Sequence, residues 1–356
     1  MARTAVTFVI MAGGKGERLW PLVRDATPKV CLSPDGRHSL LQQTITRLRP
    51  VWPSASWLIV TTRGQADVVR RSLPRWLRRA VLVEPQIKNT AACITLAAVA
   101  LAARDPHRVM VVVPADHWVG DAPAFRRSIL TAIRAAVAQD TIAMIGIRPT
   151  HPHPGLGYLC AGSRLNGFRH PPVFHVERFV EKPSRAAARW LLARGRTYWN
   201  SGTFVGTADK FLECVTEWLP DHTRRLVPLA SGLGTASFAR RAVRAYRALD
   251  AVSFDYGVMD HVRGGIVVEG RFPWADLGSW ETWARLSQGA ARTVSVDSRN
   301  ITVVSQSDHL VATIGLRDLL VVHTPSATLI CPPAKSQAVR EVVKRLSQGQ
   351  GLSRYR

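Results

Sequence analysis

Glycines and cations alternate in the segment Met11–Leu22, whose sequence is MAGGKGERLWPL. Backbone N–H groups of a glycine-rich turn can approach phosphate oxygens closely, and cations beside the turn neutralise the phosphate charge. The segment lacks the GxxxxGK(S/T) string of the Walker A motif, and Leu19 stands where the dinucleotide-binding pattern GxGxxG requires a glycine. The pattern predicts a phosphate-binding loop of a third kind, formed by Gly13, Gly14, Lys15, Gly16 and Arg18.

Two aspartates follow predicted strands in separate parts of the chain. Asp116 lies near the end of Val111–His117 (VVVPADH), and Asp276 lies in Phe272–Trp280 (FPWADLGSW), in a similar strand-to-turn setting. Mg²⁺ is bound through a few carboxylates together with substrate phosphates, and α/β sheets present such groups at strand ends. The pair predicts a magnesium site, although Asp116 taken alone is equally consistent with a turn or a helix cap.

Further polar side chains cluster at two other predicted strand ends. Phe179–Pro183 (FVEKP) places Glu181 beside Lys182, and Trp199–Phe204 (WNSGTF) places Asn200 in a glycine turn. The lysine could bind the phosphate of a sugar phosphate, while the carboxylate and the amide bind its hydroxyls. Each cluster alone is also consistent with a surface loop.

A sixth motif, Glu84–Ala92 (EPQIKNTAA), joins a predicted strand to a predicted helix. Asn89 or Thr90 is of a type that caps helix N-termini, which predicts a structural role for this segment. A binding role remains open at this stage, because the strand end is again where an α/β sheet binds ligands.

These motifs are separated by strands that alternate with helices, which predicts parallel βαβ units with ligands at the carboxyl ends of the strands. The predicted strands of the first half are Ala5–Ala12, Trp57–Thr61, Ala80–Glu84, Val109–Pro114 and Thr141–Ile147. The predicted helices between them are Ser39–Leu48, Gln65–Leu73, Thr90–Arg104 and Ala122–Gln139.

The second half of the chain has shorter elements. The predicted strands are Tyr158–Ala161, Val173–Val180, Thr203–Gly206, Ile301–Val304, Leu310–Ile314, Leu319–His323 and Thr328–Cys331. The predicted helices are Ser184–Arg194 and Ser336–Leu346, with several more before Leu286. Gln288–Arg292 is interpreted as a linker, which divides the chain into domains of residues 1–287 and 293–356.

The composition is that of a globular protein with an unusual charge. Hydrophobic residues make up 46% of the 356, which is enough for a large core and excludes disorder as the main state. The five cysteines form no CxxC pair, which favours a reducing, cytoplasmic location over a disulfide framework or a zinc site. No apolar run is long enough to span a membrane, and the short apolar start is not typical of a signal peptide.

The net charge of +23 comes from 48 lysines and arginines against 25 acidic residues, and only seven of the 48 are lysine. Such a charge usually suggests nucleic acid as a partner, but no binding motif is present and the arginines are spread over many predicted helices. We interpret the excess as compositional drift and predict no nucleic-acid partner. Three of the seven lysines, Lys15, Lys88 and Lys182, fall in the motifs above, and Lys29 follows the first motif in the segment Thr27-Pro28-Lys29.

The ordered motifs resemble those of the sugar-nucleotide pyrophosphorylase family. They are GGKGERLWPL, PK, EPQIKNTA, PADH, GYL, FVEKP, WNSGTF, FDYGVMD and WADLGSW, and the resemblance extends to about Leu346. It implies an α/β fold with a Rossmann-like, GT-A-like nucleotidyltransferase mixed sheet flanked by helices. A small C-terminal β-rich region ending in a helix, which is also a plausible homodimer contact, would follow.

The LWP, EPxxxNTA and PADH forms are most similar to the family members that use mannose 1-phosphate. The resemblance implies Mg²⁺-assisted transfer of GMP from GTP to mannose 1-phosphate, with release of pyrophosphate. It implies catalytic roles for Arg18, Lys29 and Lys182, and metal binding by Asp116 and Asp276. It implies nucleotide binding by Ala12, Gly13, Gly14, Lys15, Gly16, Glu84, Asn89, Thr90 and Asp116, and sugar-phosphate binding by Gly157, Tyr158, Glu181, Lys182 and Asn200.

Glu84 is the predicted reader of the base, because a carboxylate can accept both N–H groups on one edge of guanine. Three positions depart from the family pattern, at Val30, at Pro154–Leu159 (PGLGYL) and at Thr203. They leave another sugar 1-phosphate, of the manno-heptose or glucose type, as an alternative substrate. A catalytically silent homologue is the other alternative.

Overall fold

A computed structural model describes residues 4–286, 292–305 and 308–356. Its strands up to residue 286 are β1 Val6–Met11, β2 Ser56–Thr62, β3 Val81–Glu84, β4 Val109–Pro114, β5 His117–Val119, β6 Ala143–Ile147, β7 Tyr158–Arg164, β8 Val173–Val180, β9 Thr197–Thr207, β10 Ile266–Gly270 and β11 Trp274–Asp276. Its helices there are α1 Leu40–Leu48, α2 Ala66–Ser72, α3 Asn89–Ala102, α4 Ala122–Gln139, α5 Arg185–Ala193, α6 Ala208–Trp218, α7 Pro220–Leu226, α8 Ala236–Arg247 and α9 Trp280–Leu286.

Nine of these strands form one mixed sheet in the order β3-β2-β1-β4-β9-β6-β10-β8-β7. The strands β1 to β4 are parallel, as are β6 and β10, which confirms the βαβ prediction for this part. The long strand β9 lies between β4 and β6 and is antiparallel to both. The arrangement confirms the predicted fold class, a mixed sheet flanked by helices.

The sheet is buried on both faces, which explains its continuous apolar strands. In β1, Phe8 and Ile10 pack into one core layer and Val9 packs into the other. Helix α3 is apolar almost all round, because one side packs on the sheet and the other packs on α7, α8 and the turn between them. The carboxyl end of the sheet is therefore supported from both sides.

The strands β5 and β11 form a separate antiparallel ribbon that pairs His117 with Asp276. Each strand has three residues, so neither carries a readable alternation of apolar and polar residues. The ribbon matters for function, because it brings together two chain segments that are far apart in sequence.

The C-terminal strands are β12 Arg292–Val296, β13 Arg299–Ser305, β14 Leu310–Ile314, β15 Arg317–Thr324 and β16 Ala327–Cys331, followed by α10 Val339–Gln348. They form two small sheets, β12-β14 and β13-β15-β16, as the predicted β-rich region requires. Most of the predicted linker lies outside the described residues, and the division at residue 287 stays a prediction. Of the described helices, none combines the length and apolarity that crossing a membrane requires.

Candidate active site

The glycine loop, residues 12–18, leaves the carboxyl end of β1 and is fastened to the neighbouring strand. Ala12 donates its N–H to the Val60 carbonyl at 2.8 Å and accepts a hydrogen bond from the Thr61 hydroxyl at 2.8 Å. Beyond this anchor the loop is exposed, and Gly14 adopts a φ of 103°. The sequence predicted a loop that presents backbone N–H groups to phosphate, and the structure provides an anchored, open turn.

Gly16 folds the glycine loop back onto Lys29. Its φ is 61°, and a Cβ added there would lie 3.0 Å from the Lys29 Cβ and 3.1 Å from a Val23 methyl. Only glycine meets both demands without strain. The exposed Lys15 lies 3.4 Å from Glu17 across the same turn.

Lys29 lies between the two predicted metal ligands. Its Nζ is 2.5 Å from Oδ2 of Asp116 and 3.5 Å from Oδ1 of Asp276. Asp116 follows β4 and Asp276 ends β11, so the β5–β11 ribbon sets the separation of the carboxylates. Three residues from distant parts of the sequence thus form one cluster at the carboxyl end of the sheet.

Electrostatics favours the charged forms of Lys29 and Asp116, although Lys29 is buried and Asp116 is half-buried. Burial by itself raises the pKa of Asp116, but the charge and hydrogen bond of Lys29, together with the neighbouring His117, outweigh burial and lower that pKa to about 2. Burial lowers the pKa of Lys29, and the carboxylates of Asp116 and Asp276 outweigh it and raise the pKa. Burial lowers the pKa of the adjacent His117, which keeps its imidazole neutral at pH 7.

Arg18 reaches the same cluster from the glycine loop. A Cβ added at Gly278 would lie 2.7 Å from Nη2 of Arg18 and 3.0 Å from Oδ1 of Asp276. A side chain at Gly278 would therefore displace the Arg18 guanidinium and crowd the Asp276 carboxylate. The cluster therefore holds two cations and two carboxylates.

The carboxylates fit a divalent metal, although not as a closed protein cage. Among the described residues no group of three or more His, Cys, Asp or Glu side chains could hold a metal. Asp116 and Asp276 nevertheless converge on a single cation, the Lys29 ammonium. Two hard oxygen donors with room for substrate phosphates match the requirements of Mg²⁺.

Asn200 connects the metal side of the cleft with the predicted sugar side. It lies on β9, and β9 runs antiparallel to β4, so Asn200 projects beyond the carboxyl end of β4. A Cβ at Gly202 would lie 3.4 Å from Pro114 and 3.9 Å from His117. The two sides of the candidate site are therefore contiguous.

The predicted sugar-binding residues are in contact with each other. Asn200 donates its N–H to the Gly157 carbonyl at 2.8 Å, and a Cβ at Gly157 would lie 2.6 Å from Oε2 of Glu181. Lys182 adopts a φ of 45°, pairs with Glu181 at 2.7 Å and has an exposed side chain. The structure thus brings together a carboxylate, an amide and an available ammonium.

Tyr158 takes a supporting position in this arrangement. Its side chain is fully buried, and its hydroxyl accepts from the His153 N–H at 2.8 Å and donates to the His153 carbonyl. The phenol therefore shapes the loop before Gly157, and a contact of Tyr158 with sugar would have to come from its backbone.

The segment from Glu84 to Lys88 differs from expectation in two ways. Glu84 is buried, accepts a hydrogen bond from the Tyr246 hydroxyl at 3.1 Å and contacts the Cys93 thiol. Lys88 donates to the Leu249 carbonyl, so it is not placed to meet a phosphate. The predicted role of Glu84 as reader of the base stays a prediction, and its burial argues against it.

The start of α3 also differs in detail. Asn89 is exposed with a φ of 65° and accepts from the Thr90 N–H, while the Thr90 hydroxyl accepts from the Phe254 N–H at 2.8 Å. The helix begins at Asn89 with no side-chain cap, so the capping prediction was wrong. Asn89 remains available to a ligand, whereas the Thr90 hydroxyl is engaged.

One polar residue of the cleft was missed by the sequence reasoning. Asp255 accepts from Nδ2 of Asn200 at 2.5 Å, and burial together with Glu181 raises its pKa to about 6. It lies in a π-helical turn, Asp255–Met259. The motif FDYGVMD contained the signal, since Asp255 there follows Phe254 and precedes Val258 and Met259, which are all buried.

Comparison with known proteins extends over nearly the whole chain. The model of the nucleotidyl transferase family matches residues 7–293, and that of the MannoseP isomerase/GMP-like beta-helix domain matches residues 291–346. A putative mannose-1-phosphate guanylyltransferase of Vibrio cholerae serotype O1 is 34% identical, covering 98% of this chain and 76% of its own. The mannose-1-phosphate guanylyltransferase of Escherichia coli K12 is 34% identical, with coverages of 97% and 74%.

A solved structure is similar as well. The crystal structure of mannose-1-phosphate geranyltransferase from Thermus thermophilus superposes with a TM-score of 0.82 at 34% identity. It covers 97% of this chain and 100% of its own. The likeness therefore includes the C-terminal strands and helix as well as the large sheet.

Proposed function

Because this chain belongs to the nucleotidyl transferase family, we propose that it transfers GMP from GTP to mannose 1-phosphate, forming GDP-mannose and pyrophosphate. Relatives at 34% identity over almost the full chain carry the name of this activity, which supports the choice of substrates. The observation that carries the proposal is the cluster of Arg18, Lys29, Asp116 and Asp276 at the end of the glycine loop.

The reaction is a displacement at the α-phosphorus of GTP. A phosphate oxygen of mannose 1-phosphate forms the new P–O bond, and the bond from the α-phosphorus to the bridging oxygen breaks. Pyrophosphate leaves with that electron pair. Such transfers depend on positioning and on neutralising charge more than on covalent chemistry with the protein.

The residues of the cluster would divide this work. The exposed backbone of Gly13 and Gly14 with Lys15 would bind the β- and γ-phosphates, and Arg18 would neutralise the pyrophosphate as it leaves. Lys29, held in place by Asp116, would lie against the α-phosphate where negative charge develops. A lysine fixed in advance by carboxylates needs little reorganisation when the negative charge develops on the α-phosphate.

Asp116 and Asp276 would hold Mg²⁺, which supplies further neutralisation of the triphosphate when bound. Substrate phosphates would complete its oxygen ligands, which explains why the described residues offer two carboxylates and no third ligand. On binding, the Lys29 ammonium would exchange part of its contact with the carboxylates for contact with the α-phosphate.

The sugar side would hold the acceptor substrate. Lys182 would bind the phosphate of mannose 1-phosphate, while Glu181 and Asn200 would accept and donate hydrogen bonds to its hydroxyls. Gly157 would allow the sugar to approach, because any side chain there would collide with Glu181. A cytoplasmic location, a homodimer and the absence of a nucleic-acid partner stay predictions.

A matrix of nucleoside triphosphates against sugar 1-phosphates, with pyrophosphate release as the readout, tests the proposal. We expect the highest kcat/KM for GTP with mannose 1-phosphate. Release only with a manno-heptose or glucose 1-phosphate would replace the substrate while keeping the reaction. No release with any pair would indicate a catalytically silent homologue.

The role of Lys182 is tested by comparing Lys182→Ala with Lys210→Ala. Lys182 is exposed beside Glu181, whereas Lys210 of α6 is bound between Asp140 and Glu213. We expect the first variant to raise the KM for the sugar phosphate at least about tenfold, as loss of a charged hydrogen bond does. Equal effects of the two variants would remove Lys182 from the site.

A further inference from the structure

A basic cavity lies outside the candidate active site, between α7, α8 and the turn that joins them. Its volume is about 480 Å³. Four arginines line it, together with Pro228, Leu229, Ser237 and Ala245, and these arginines are Arg225, Arg240, Arg241 and Arg244. None of the residues predicted to bind substrate is among them.

The charge of this cavity is not balanced by the protein. Among the ion pairs of the described residues none involves these four arginines, and the nearby Asp221 is paired with Arg224. Helix α8 has no acidic residue in its sequence ASFARRAVRAYR. The positive charge therefore faces the cavity without a counter-charge.

The guanidinium groups are also incompletely hydrogen-bonded. Nε of Arg225 is buried without a hydrogen-bond partner. Arg241 is fixed by hydrogen bonds to the Pro228 carbonyl and to the Ser231 hydroxyl, whereas Arg240 and Arg244 make none among the described residues. Arg241 is thus held in position by two hydrogen bonds. The other three arginines have N–H donors that no described residue accepts.

Arg240, Arg241 and Arg244 are exposed to solvent and Arg225 is half-buried, and a bound anion would relieve two local costs. Arg240 and Arg244 are four residues apart on one face of α8, where like charges repel each other. A buried donor without a partner, such as Nε of Arg225, adds a desolvation cost. Guanidinium groups are well matched to phosphate, because their planar N–H pairs bind two of its oxygens at once.

We propose that the cavity binds a small molecule carrying at least two phosphate charges, of the size of a nucleoside diphosphate. Its volume lies within the range of roughly 300 to 1,000 Å³ that is usual for small-molecule sites. The apolar wall of Leu229, Pro228 and Ala245 gives a sugar or base a surface to contact, while the arginines bind the phosphates.

The site is separate from the catalytic cleft but built on elements that support it. Helix α3 packs one side on the sheet and the other on Leu226, Leu229 and Ala242, so it stands between the cavity and the sheet. Helix α8 also carries Tyr246, whose hydroxyl binds Glu84 at the end of β3. Binding in the cavity is therefore a second event that can be counted independently of catalysis.

Equilibrium dialysis with labelled inorganic pyrophosphate at physiological salt tests the proposal by counting binding sites per chain. The double variant R240A/R244A removes two of the three cavity arginines that have no partner among the described residues, and alanine is favourable in a helix, so α8 should persist. The matched control R127A/R134A removes from α4 two exposed arginines that form no ion pair with the described residues. Steady-state pyrophosphate release is measured for all three proteins.

We expect R240A/R244A to bind one pyrophosphate fewer than the wild type, with its kcat unchanged, and the control to bind as many as the wild type. If the proposed catalytic function fails, the wild type binds pyrophosphate in the cavity alone and R240A/R244A binds none. Equal stoichiometry of wild type and R240A/R244A would overturn the proposal, as would an equal loss in the control. Oligonucleotide binding is measured in the same way. If R240A/R244A lost oligonucleotide binding but retained every pyrophosphate site, the cavity would bind nucleic acid and the proposal would be overturned.

Discussion

The half-buried Asp116 and the buried Glu84 differ in whether a cation accompanies the carboxylate. Asp116 is paired with Lys29, which together with the neighbouring His117 lowers its pKa to about 2. Glu84 has the Tyr246 hydroxyl and the Cys93 thiol as neighbours and no cation, and burial raises its pKa to about 7. Asp116 is therefore negatively charged at pH 7 and able to bind a cation. Glu84 lies in the protein interior, and its pKa is close to that pH.

Glu84→Gln should stabilise the protein at alkaline pH. The folded pKa of Glu84 is raised above the unfolded value, so between about pH 4.5 and pH 7 the folded state binds the extra proton and stability falls as the pH rises. A shift of this size corresponds to about 3 kcal/mol, which a neutral glutamine avoids. Urea unfolding near pH 8 should show the variant as more stable, and the difference should vanish near pH 4.

The exposed Glu217 on α6 provides the control, since Glu217→Gln should leave stability unchanged at both pH values. The same Glu84→Gln protein also decides whether Glu84 reads the base. An unchanged preference for GTP over UTP would end that prediction, and a lost preference would mean that Glu84 leaves its buried position when GTP binds.

Asp255→Ala should weaken binding of the sugar phosphate. The carboxylate accepts from Nδ2 of Asn200, so its removal frees the amide that we propose binds a sugar hydroxyl. We expect the KM for mannose 1-phosphate to rise about tenfold with little change in the KM for GTP. In the wild type the same KM should rise as the pH falls through about 6, where the carboxyl takes up its proton.

Asp260→Ala is the matched control, because Asp260 follows the same π-helical turn and is exposed. Similar KM values for the two variants would show that Asp255 has no special part in sugar binding. A pH dependence that persists in Asp255→Ala would assign the titration to another group.

The predictability of each element from sequence follows from its length and its apolar pattern. The bounds of β4, β8, β14 and α4 agree with those predicted, because each has a sustained apolar pattern between clear breaks. Strand β9 was predicted as four residues and has eleven, since the polar Asn200 and the following turn-like glycine interrupt its pattern. The ribbon β5–β11 was not predicted at all, because three-residue strands have no period.

In the candidate site, the individual residues could be predicted from the sequence, whereas the contacts between them could not. Lys29, Asp116 and Asp276 could be picked out as residues, since the aspartates stand in motifs at strand ends and Lys29 stands in the PK pair that follows the glycine loop. Their contact could not be derived, because it depends on the ribbon that pairs His117 with Asp276. Asp255 was missed for a related reason, since a π-helical turn has no pattern that sequence reasoning recognises.

Gly120→Ala should disturb the ribbon and with it the metal-binding pair. A Cβ at Gly120 would lie 2.7 Å from the Trp118 ring and 3.0 Å from the Pro273 Cβ, next to the paired strands β5 and β11. Overpacking of this kind costs about 1 to 3 kcal/mol, and a small shift of Asp276 against Asp116 should lower kcat roughly tenfold or more. Thermal unfolding and steady-state kinetics measure the two effects.

Gly64→Ala is the control for this substitution. Gly64 has no atom within 4 Å of an added Cβ, and its φ is not in the left-handed region. The control should retain both stability and kcat. If Gly120→Ala matched it in kcat, the ribbon would not set the separation of the two aspartates.

The C-terminal region packs against the residues that follow the glycine loop. One core cluster joins Leu19 and Trp20, next to that loop, with Val304, Val322 and Val343 of the C-terminal strands and helix. The indole N–H of Trp20 donates to the Tyr355 carbonyl at 2.8 Å, which ties the last residues of the chain to the same segment. The glycine loop and the C-terminal region therefore share one core cluster. A substitution in α10 should alter the binding of GTP at the glycine loop.

Val343→Asp tests this coupling, with Val342→Asp as its matched control. Val343 is 5% exposed in the shared core, whereas its neighbour Val342 is 36% exposed. A carboxylate placed in that core has no partner, so we expect a loss on the order of 3 kcal/mol in the free energy of unfolding. The KM for GTP should rise in the protein that remains folded, because Leu19 and Trp20 lose their support, while Val342→Asp should change neither quantity. A destabilised Val343→Asp with an unchanged KM for GTP would show that the C-terminal region adds stability without positioning the glycine loop.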